Sequence, residues 1–422
     1  MPPERKCLFR PVPVVGRDDK GFWTVTTDAA VTPWQIEDGS GNPVEATGDE
    51  QVELFRSVKA GNGRVEIALT DGGTLSAAQV NDLSVAGTAN CYVVSAPGTY
   101  VFNARVRGNG AGEGVGFEPA IEMADGMTAD WLWTDSEGLV SGVALDTTSG
   151  DIFLTVGEGR GNALVALMRD GKVVWSWHVW VTDAPQTMTY GNGTVFMDRN
   201  LGAAGTTAGG TDAYGMYYQW GRKDPFYGGE KTETSANAFL EAKNGTVVNP
   251  AYPALDWAFS KSATTTDGAA ANPMTFYNDK VGTGYNWLAS PNATLWGEAK
   301  TLNDPCPPGY RVPGTGAWED LISGRQYIDG VSVWDGTNYG MTYTHGGQTA
   351  WYPAQGYRNY SSGAIVGLRS STGGSGAYWS AETSSVKSYY LFFRSKLSSS
   401  GSINNELDMN RSYGYTVRCC KE

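Results

Sequence analysis

Residues Asn162–Asp183 read NALVALMRDGKVVWSWHVWVTD, and this stretch decides the fold class. Two apolar runs, Ala163–Met168 and Val173–Val181, flank Asp170-Gly171. Asp-Gly favours the two-residue type I′ turn, because both central residues of that turn need positive φ. The stretch is therefore predicted to be a β-hairpin. Successive side chains of a strand point to opposite faces. Trp175, Trp177, Val179 and Val181 then share one face, and Val174, Ser176, His178 and Trp180 share the other. The first face suits packing on a partner sheet, while the second is mixed. The tryptophans are read as core rather than as a binding stripe.

Working outward, Asn90–Ser95 (NCYVVS) and Thr99–Val106 (TYVFNARV) read as strands joined by the turn Pro97-Gly98. Several short strands at this spacing predict an Ig-like β-sandwich over residues 86–185. Farther upstream, Gly21–Thr27 (GFWTVTT) and Arg64–Thr70 (RVEIALT) read as strands, the second followed by turn residues at Asp71–Gly73. Residues 1–85 are expected to form a further small β-sandwich. After Pro185 the character changes. Residues 186–422 carry strand-like pieces separated by long segments rich in Gly, Asn, Ser and Thr, and loops of that length are often functional. One helix is predicted there, Thr315–Ser323 (TGAWEDLIS), with Thr315 as N-cap, Trp318, Leu321 and Ile322 on one face, and Gly324 as the stop.

Composition agrees with a mostly β, multidomain chain. At 422 residues it can bury more than one core. It holds 56 Gly, 15 Trp and 22 Tyr with only 18% charged residues, a mix that suits strands and turns better than packed helices. The net charge of −13 argues against nucleic acid, whose affinity depends on Lys and Arg at phosphates, and leaves a cationic partner or Ca²⁺ open. No apolar run is long enough for a transmembrane helix. Met1–Arg10 (MPPERKCLFR) has no apolar leader. The expectation is that a native export leader has been removed ahead of Met1, and Cys7 is not read as a lipid anchor.

Six blocks then occur in order: Val195–Gly202 (VFMDRNLG), Tyr214–Phe226 (YGMYYQWGRKDPF), Cys306–Trp318 (CPPGYRVPGTGAW), Trp351–Arg358 (WYPAQGYR), Tyr378–Glu382 (YWSAE) and Val417–Cys419 (VRC). Together they resemble the Fibrobacter succinogenes major paralogous domain, a module of Bacteroidetes surface proteins. Ala89–Phe102 and Asn162–Asp183 resemble stretches that precede this module in Bacteroides fimbrillin-like and pilus-tip proteins. The resemblance implies that residues 186–422 form an α+β, C-type-lectin-like domain related to the formylglycine-generating sulfatase-modifying factors. It also implies a disulfide from an internal region to the last strand, here Cys306 with Cys419. Such a bond closes a loop of roughly 100 residues, worth about 4–5 kcal/mol in the chain-entropy model. Cys420 is the rival partner, since neighbours on a strand face opposite ways.

Neither catalysis nor a cofactor is predicted. The sulfatase-modifying relatives use two closely spaced active-site cysteines, and no such pair is legible. Two histidines, His178 and His345, and no G-x-S-x-G elbow leave no hydrolase triad to read. Glu319 and Asp320 read as the solvent face of the predicted helix. The Glu-Pro-Asn and Trp-Asn-Asp arrangements of calcium lectins do not occur in residues 186–422; Trp334-Asp335-Gly336 lacks the Asn. Asn404–Asn410 (NNELDMN) reads as a solvated loop without calcium-loop spacing. What remains is metal-free ligand capture by loops between about residues 325 and 375. Trp334, Tyr339, Trp351, Tyr352 and Tyr357 are the candidate contacts, with Tyr343 and Tyr360 in the same stretch. Each ring taken singly reads as packing; together they mark a surface, because aromatics bury a large area at low entropic cost. The expected function is a cell-surface or fimbrial-tip adhesin for glycans or for host or microbial surface proteins. Two alternatives are a structural pilus subunit that pairs with other subunits and a formylglycine-type enzyme.

Overall fold

The hairpin at Asn162–Asp183 forms. Asp170 (φ 52°) and Gly171 (φ 71°) supply the two positive φ values that its turn requires. The architecture comes from a computed structural model, which describes residues 80–110, 120–228, 246–282, 284–368, 374–395 and 402–422, together with short backbone segments between 14 and 78. The chain is mostly β. It divides into two compact units, Met1–Gln79 and Val80–Glu422.

The first unit holds two three-stranded antiparallel sheets. One is β1 (Val14–Arg17), β2 (Trp23–Thr26) and β3 (Trp34–Gln35). The other is β4 (Phe55–Gly61), β5 (Arg64–Leu69) and β6 (Thr74–Ala78). The strands expected at Gly21–Thr27 and Arg64–Thr70 are β2 and β5. The turn expected at Asp71–Gly73, the stretch Met1–Arg10 and Cys7 lie outside the described residues.

The second unit opens with β7 (Val80–Asp82), β8 (Cys91–Val94), β9 (Gly98–Asn103), β10 (Met127–Thr134), β11 (Val140–Asp146), β12 (Asp151–Val156), β13 (Gly161–Arg169) and β14 (Lys172–Val181). They form two sheets, in the orders β10-β13-β14-β8 and β11-β12-β9-β7, with β8 parallel to β14 and β7 parallel to β9. Val247–Val248, from far downstream, extends the first sheet by pairing with β10.

The two faces of the hairpin serve two different cores. Trp175, Trp177, Val179 and Val181 pack with Tyr92, Phe102, Ile152 and Leu154 between the two sheets. Leu164, Ala166, Met168 and Trp180 pack outward against Trp220, Trp296 and Trp379 of the C-terminal part. The near-continuous apolar run is what burial on both faces demands. One detail departs from strict alternation. The register slips where Leu167 pairs with Trp175 and Met168 with Val173. Val174 is the extra residue of this bulge and leans toward the sandwich core, and Val173 takes its place on the outward face.

The polar residues on that outward face are all satisfied. Ser176 Oγ donates to Asp224 Oδ1 (2.7 Å) and accepts from Lys223 Nζ (2.6 Å). Lys223 and Asp224 form a buried ion pair at 2.5 Å, with the ammonium 4.5 Å from the Trp175 ring centroid. Burial pulls the Lys223 ammonium below the usual lysine range, against the pull of Asp224. His178 Nε2 faces Asn162 Oδ1 at 2.8 Å and its Nδ1 faces the Tyr218 hydroxyl at 3.3 Å. Asn162 Nδ2 in turn donates to Asp135 (2.7 Å) and to the Gly202 carbonyl (2.9 Å). The sandwich and the C-terminal part are thus joined by packing and by hydrogen bonds.

A second two-faced sheet lies farther along, built from Ser375–Ser384, Lys387–Arg394 and Ile403–Asn410. Trp379 and Tyr390 face the central core, while Tyr378, Leu391 and Phe393 face a third core with Phe196, Trp318, Leu321 and Tyr352. Asn404–Asn410 is therefore a strand and not a solvated loop, and Asp408 pairs with Lys387 at 3.2 Å. The bond Cys306–Cys419 is present, with Cα atoms 6.0 Å apart. Cys420 turns to the opposite face and is a buried thiol, which burial pushes up to about 11. Cys306 is held on approach by Lys300, whose buried ammonium donates to the carbonyls of Cys306 (2.8 Å), Pro307 (3.1 Å) and Tyr310.

The helix predicted at Thr315–Ser323 is a 3-10 helix, Thr315–Leu321, flanked by Gly314 rather than capped by Thr315. Thr315 Oγ1 donates to Glu382 instead. Three residues per turn bring Trp318 and Leu321 onto one buried face. Ile322 leaves the helix for the strand Ile322–Ser323, and Gly324 (φ 55°) with Arg325 (φ 65°) forms a tight hairpin turn rather than a helix stop. An α-helix occurs instead at Thr266–Ala271, capped by the Thr265 hydroxyl, which accepts from the Gly268 amide.

Burial holds the His178 imidazole near 3, below its ordinary 6.5. Between those values the unfolded chain binds a proton that the folded chain does not, so stability must fall as pH falls. Relative to His178→Gln, the parent should lose up to about 1.4 kcal/mol per pH unit below pH 6.5, measured by urea unfolding. Asp135, raised to about 6 by burial, acts in the opposite sense but is common to both proteins. Parallel stability curves for parent and variant would contradict a buried neutral imidazole.

Candidate functional site

The six sequence blocks meet inside the protein. Arg418 donates from Nε (3.0 Å) and Nη2 (2.9 Å) to Asn200 Oδ1, and from Nη2 to the Trp351 carbonyl (2.6 Å). Its guanidinium stacks 3.8 Å from the Tyr352 ring centroid. Asn200 Nδ2 donates to Gln355 Oε1 (2.8 Å) and to the Tyr378 hydroxyl (3.1 Å). Gln355 exchanges two hydrogen bonds of 2.9 Å with the Gly215 backbone. Asn200, Gln355 and Tyr378 are 0% exposed and Arg418 is 1% exposed. Cys419 follows Arg418 and ties in the block that begins at Cys306. This knot is closed to solvent, so Asn200, Gln355, Tyr378 and Arg418 mark a scaffold.

Trp334, Tyr339, Trp351 and Tyr352 belong to one antiparallel meander, Ser332–Asp335, Gly340–His345 and Gln348–Pro353, where loops were expected. Tyr352 faces the third core, with its hydroxyl 2.5 Å from that of Tyr190. Trp351 is 8% exposed, and its ring lies across Gly340, where a Cβ would collide with it. Tyr343 is buried against Tyr190 at 4.2 Å. Trp334 is half-buried near Phe393 at 6.5 Å. Tyr339 is half-buried at φ 55°, after a turn in which Asp335 accepts from the amides of Thr337 and Asn338. Trp351 and Tyr352 therefore do not offer their rings to a ligand.

Tyr357 lies elsewhere, in a patch of tyrosines. It sits in the strand Tyr357–Arg358, which pairs with Ile365–Val366 and, through Arg358, with Gly414. Tyr360 follows in a turn fixed by Asn359, whose Oδ1 accepts from the Ser361 amide (2.8 Å) and hydroxyl (2.7 Å). The ring of Tyr360 lies 4.5 Å from Tyr285 and 4.9 Å from Tyr413, and Tyr357 lies 5.7 Å from Tyr413. Tyr285, Tyr357, Tyr360 and Tyr413 are all half-buried. Beneath them Tyr390, Tyr415 and Trp379 form a floor, with Tyr415 stacked 4.3 Å from Trp379. Burial pushes the hydroxyls of Tyr413 and Tyr390 up to about 12, so both stay protonated at neutral pH. The result is a shelf of ring faces edged by neutral hydroxyls, each able to donate and accept.

Of the five candidate contacts, the shelf takes Tyr357 alone. Tyr285 and Tyr413 were missed because they come from Gly284–Asn286 and from the turn before Gly414–Tyr415, far from Tyr357 in sequence. The legible signal was local: Gly-Tyr-Asn and Tyr-Gly-Tyr, rings set next to turn residues. Compared with protein-family models, curated proteins and solved structures, the chain has no match.

Scaffold and shelf differ in what truncation costs. Tyr352→Ala empties a fully buried site and should cost about 3–5 kcal/mol. Tyr360→Ala, at a half-exposed turn, should cost under about 1 kcal/mol. Urea unfolding of the two variants checks this, and similar losses for both would contradict the assignment.

Proposed function

We propose that this chain is an exported, non-catalytic surface-binding protein, an adhesin that holds a glycan on the tyrosine shelf. The observation that carries the reading is the packed, half-exposed group Tyr285, Tyr357, Tyr360 and Tyr413. Flat rings suit the apolar C–H faces of a sugar, and the flanking hydroxyls suit its OH groups. Each ring is braced by neighbours, so little rotamer freedom is lost on binding.

Several features favour display outside the cell. The Cys306–Cys419 disulfide suits an oxidising compartment. No helix among the described residues is long and apolar enough to cross a membrane. The strand orders β10-β13-β14-β8 and β11-β12-β9-β7, with β8 parallel to β14, support an Ig-like reading of the sandwich. The six ordered blocks support a C-type-lectin-like reading of residues 186–422, in the manner of a pilus-tip protein. Glycan recognition in this reading needs no calcium.

A glycan array probed with parent, Tyr360→Ala and Tyr285→Ala tests the proposal. Each substitution should weaken the parent's best ligands by about tenfold, equivalent to about 1.4 kcal/mol. Unchanged binding by both variants, with their folds intact by circular dichroism, would remove the shelf as the site.

A further inference from the structure

We propose that the tyrosine shelf holds several successive residues of a curled hexose chain, such as an α-1,4-glucan, and disfavours a flat ribbon such as a β-1,4-glucan. This rests on the glycan reading above and assigns the class of glycan. The observation behind it is the order and the tilt of the rings. Tyr285, Tyr360, Tyr413 and Tyr357 follow one another in a row, with centroids 4.5, 4.9 and 5.7 Å apart at successive steps. No two neighbours in the row are parallel, since their planes turn by 43°, 54° and 63°.

The tilts are set by the backbone that carries each ring. Tyr285 stands in the strand Gly284–Asn286, which pairs antiparallel with Asp279–Val281. Gly284 lies so near Asn410 that a Cβ there would come within 3.2 Å of its Oδ1. The Asn410 carbonyl accepts from the Tyr413 amide at 3.1 Å, so the segments bearing Tyr285 and Tyr413 lean on the same residue. Arg358, buried beside Tyr357, donates to the Gly363 carbonyl (2.6 Å) at the far end of the turn that bears Tyr360. The Gly363 amide closes that turn on the Asn359 carbonyl at 2.7 Å. Tyr357 and Tyr413 both rest on Tyr415, at 5.4 and 5.6 Å. The rings therefore hold their tilts before any ligand arrives, and little ordering is left to be done on binding.

A pyranose stacks on an aromatic ring through the apolar face made by its axial C–H bonds. In a β-1,4-glucan both linking bonds are equatorial, so successive faces lie near one plane, and coplanar rings serve such a chain. In an α-1,4-glucan the axial bond at C1 turns each residue against the last, and the chain curls. A row whose planes turn at every step meets the ribbon with one ring at a time. It meets the curled chain with a ring for each residue. The steps of the row are close to the advance of a hexose chain per residue, so the row suits an oligosaccharide better than a single sugar. Burial raises the hydroxyls of Tyr357 and Tyr413, which stay protonated and can both donate to and accept from the hydroxyls at the sugar rim.

Isothermal titration of the full chain with maltohexaose, cellohexaose, maltose and a decaproline peptide reads this directly. Maltohexaose should bind at least about tenfold more tightly than cellohexaose and than maltose, and about tenfold more weakly to folded Tyr285→Ala and Tyr360→Ala. Cellohexaose binding as tightly as maltohexaose, and weakened by both substitutions, would overturn the curled chain and leave the glycan reading standing. Maltose binding as tightly as maltohexaose would overturn the multi-residue row. Maltohexaose binding that neither substitution weakens would overturn the inference and the shelf together. If neither hexaose binds, the inference fails, and the glycan array alone decides the shelf. Decaproline bound in their place, and weakened by both substitutions, would overturn both readings in favour of a protein ligand.

Discussion

A guanidinium taken out of water must be met by acceptors and ring faces, or the fold that buries it does not close. Arg418 sets this constraint. It is met by Asn200, by the Trp351 carbonyl and by the Tyr352 face. Asn200 and Gln355 then bind each other, Tyr378 and Gly215. Segments more than 200 residues apart are thereby held in one register, with Arg418 and Asn200 separated by 218 positions. Non-local closure of this kind is entropically expensive, and the neighbouring Cys306–Cys419 bond reduces that cost by restricting the unfolded chain.

Two sheets with both faces buried carry the knot. The first, through β14, separates the sandwich core from the central core. The second, through Lys387–Arg394, separates the central core from a third. A polar side chain on such a strand needs a partner from whichever core it faces, and of the β14 polar groups the Trp177 indole N–H is buried without one. Ser176 and His178 interrupt an otherwise apolar run, and each is answered from the C-terminal part, by Lys223 and Asp224 or by Tyr218. The sandwich is consequently finished by residues far downstream of it, including the edge strand Val247–Val248.

Local chemistry was legible in the sequence, and long-range placement was not. Asp170-Gly171 announced its hairpin, and the alternation of β14 announced the sandwich core. The bulge at Val174 escaped because it depends on pairing with Met168. Thr315–Ser323 looked α-helical, but Trp318 and Leu321 are buried at a three-residue spacing and Thr315 is drawn to Glu382. Trp351 and Tyr352 looked like loop aromatics because Gly and Asn surround them; Gly340 in fact makes room for a packed indole. Tyr357 was legible as a candidate, while its partners Tyr285 and Tyr413 become neighbours only through the fold. Of the blocks that carried the family resemblance, Asn200, Gln355, Tyr378 and Arg418 are buried and bear on scaffold, while Tyr357 reaches the shelf.

A rigid interior therefore presents one braced group of half-exposed rings, and binding at that group is the central claim. The most direct measurement is an NMR titration of the protein, tyrosine rings isotopically labelled, with its best glycan ligand. The account predicts shifts at Tyr285, Tyr357, Tyr360 and Tyr413, with Tyr352 and Tyr378 silent. Shifts confined to Tyr339 and the meander that carries it, with the shelf tyrosines silent, would contradict it.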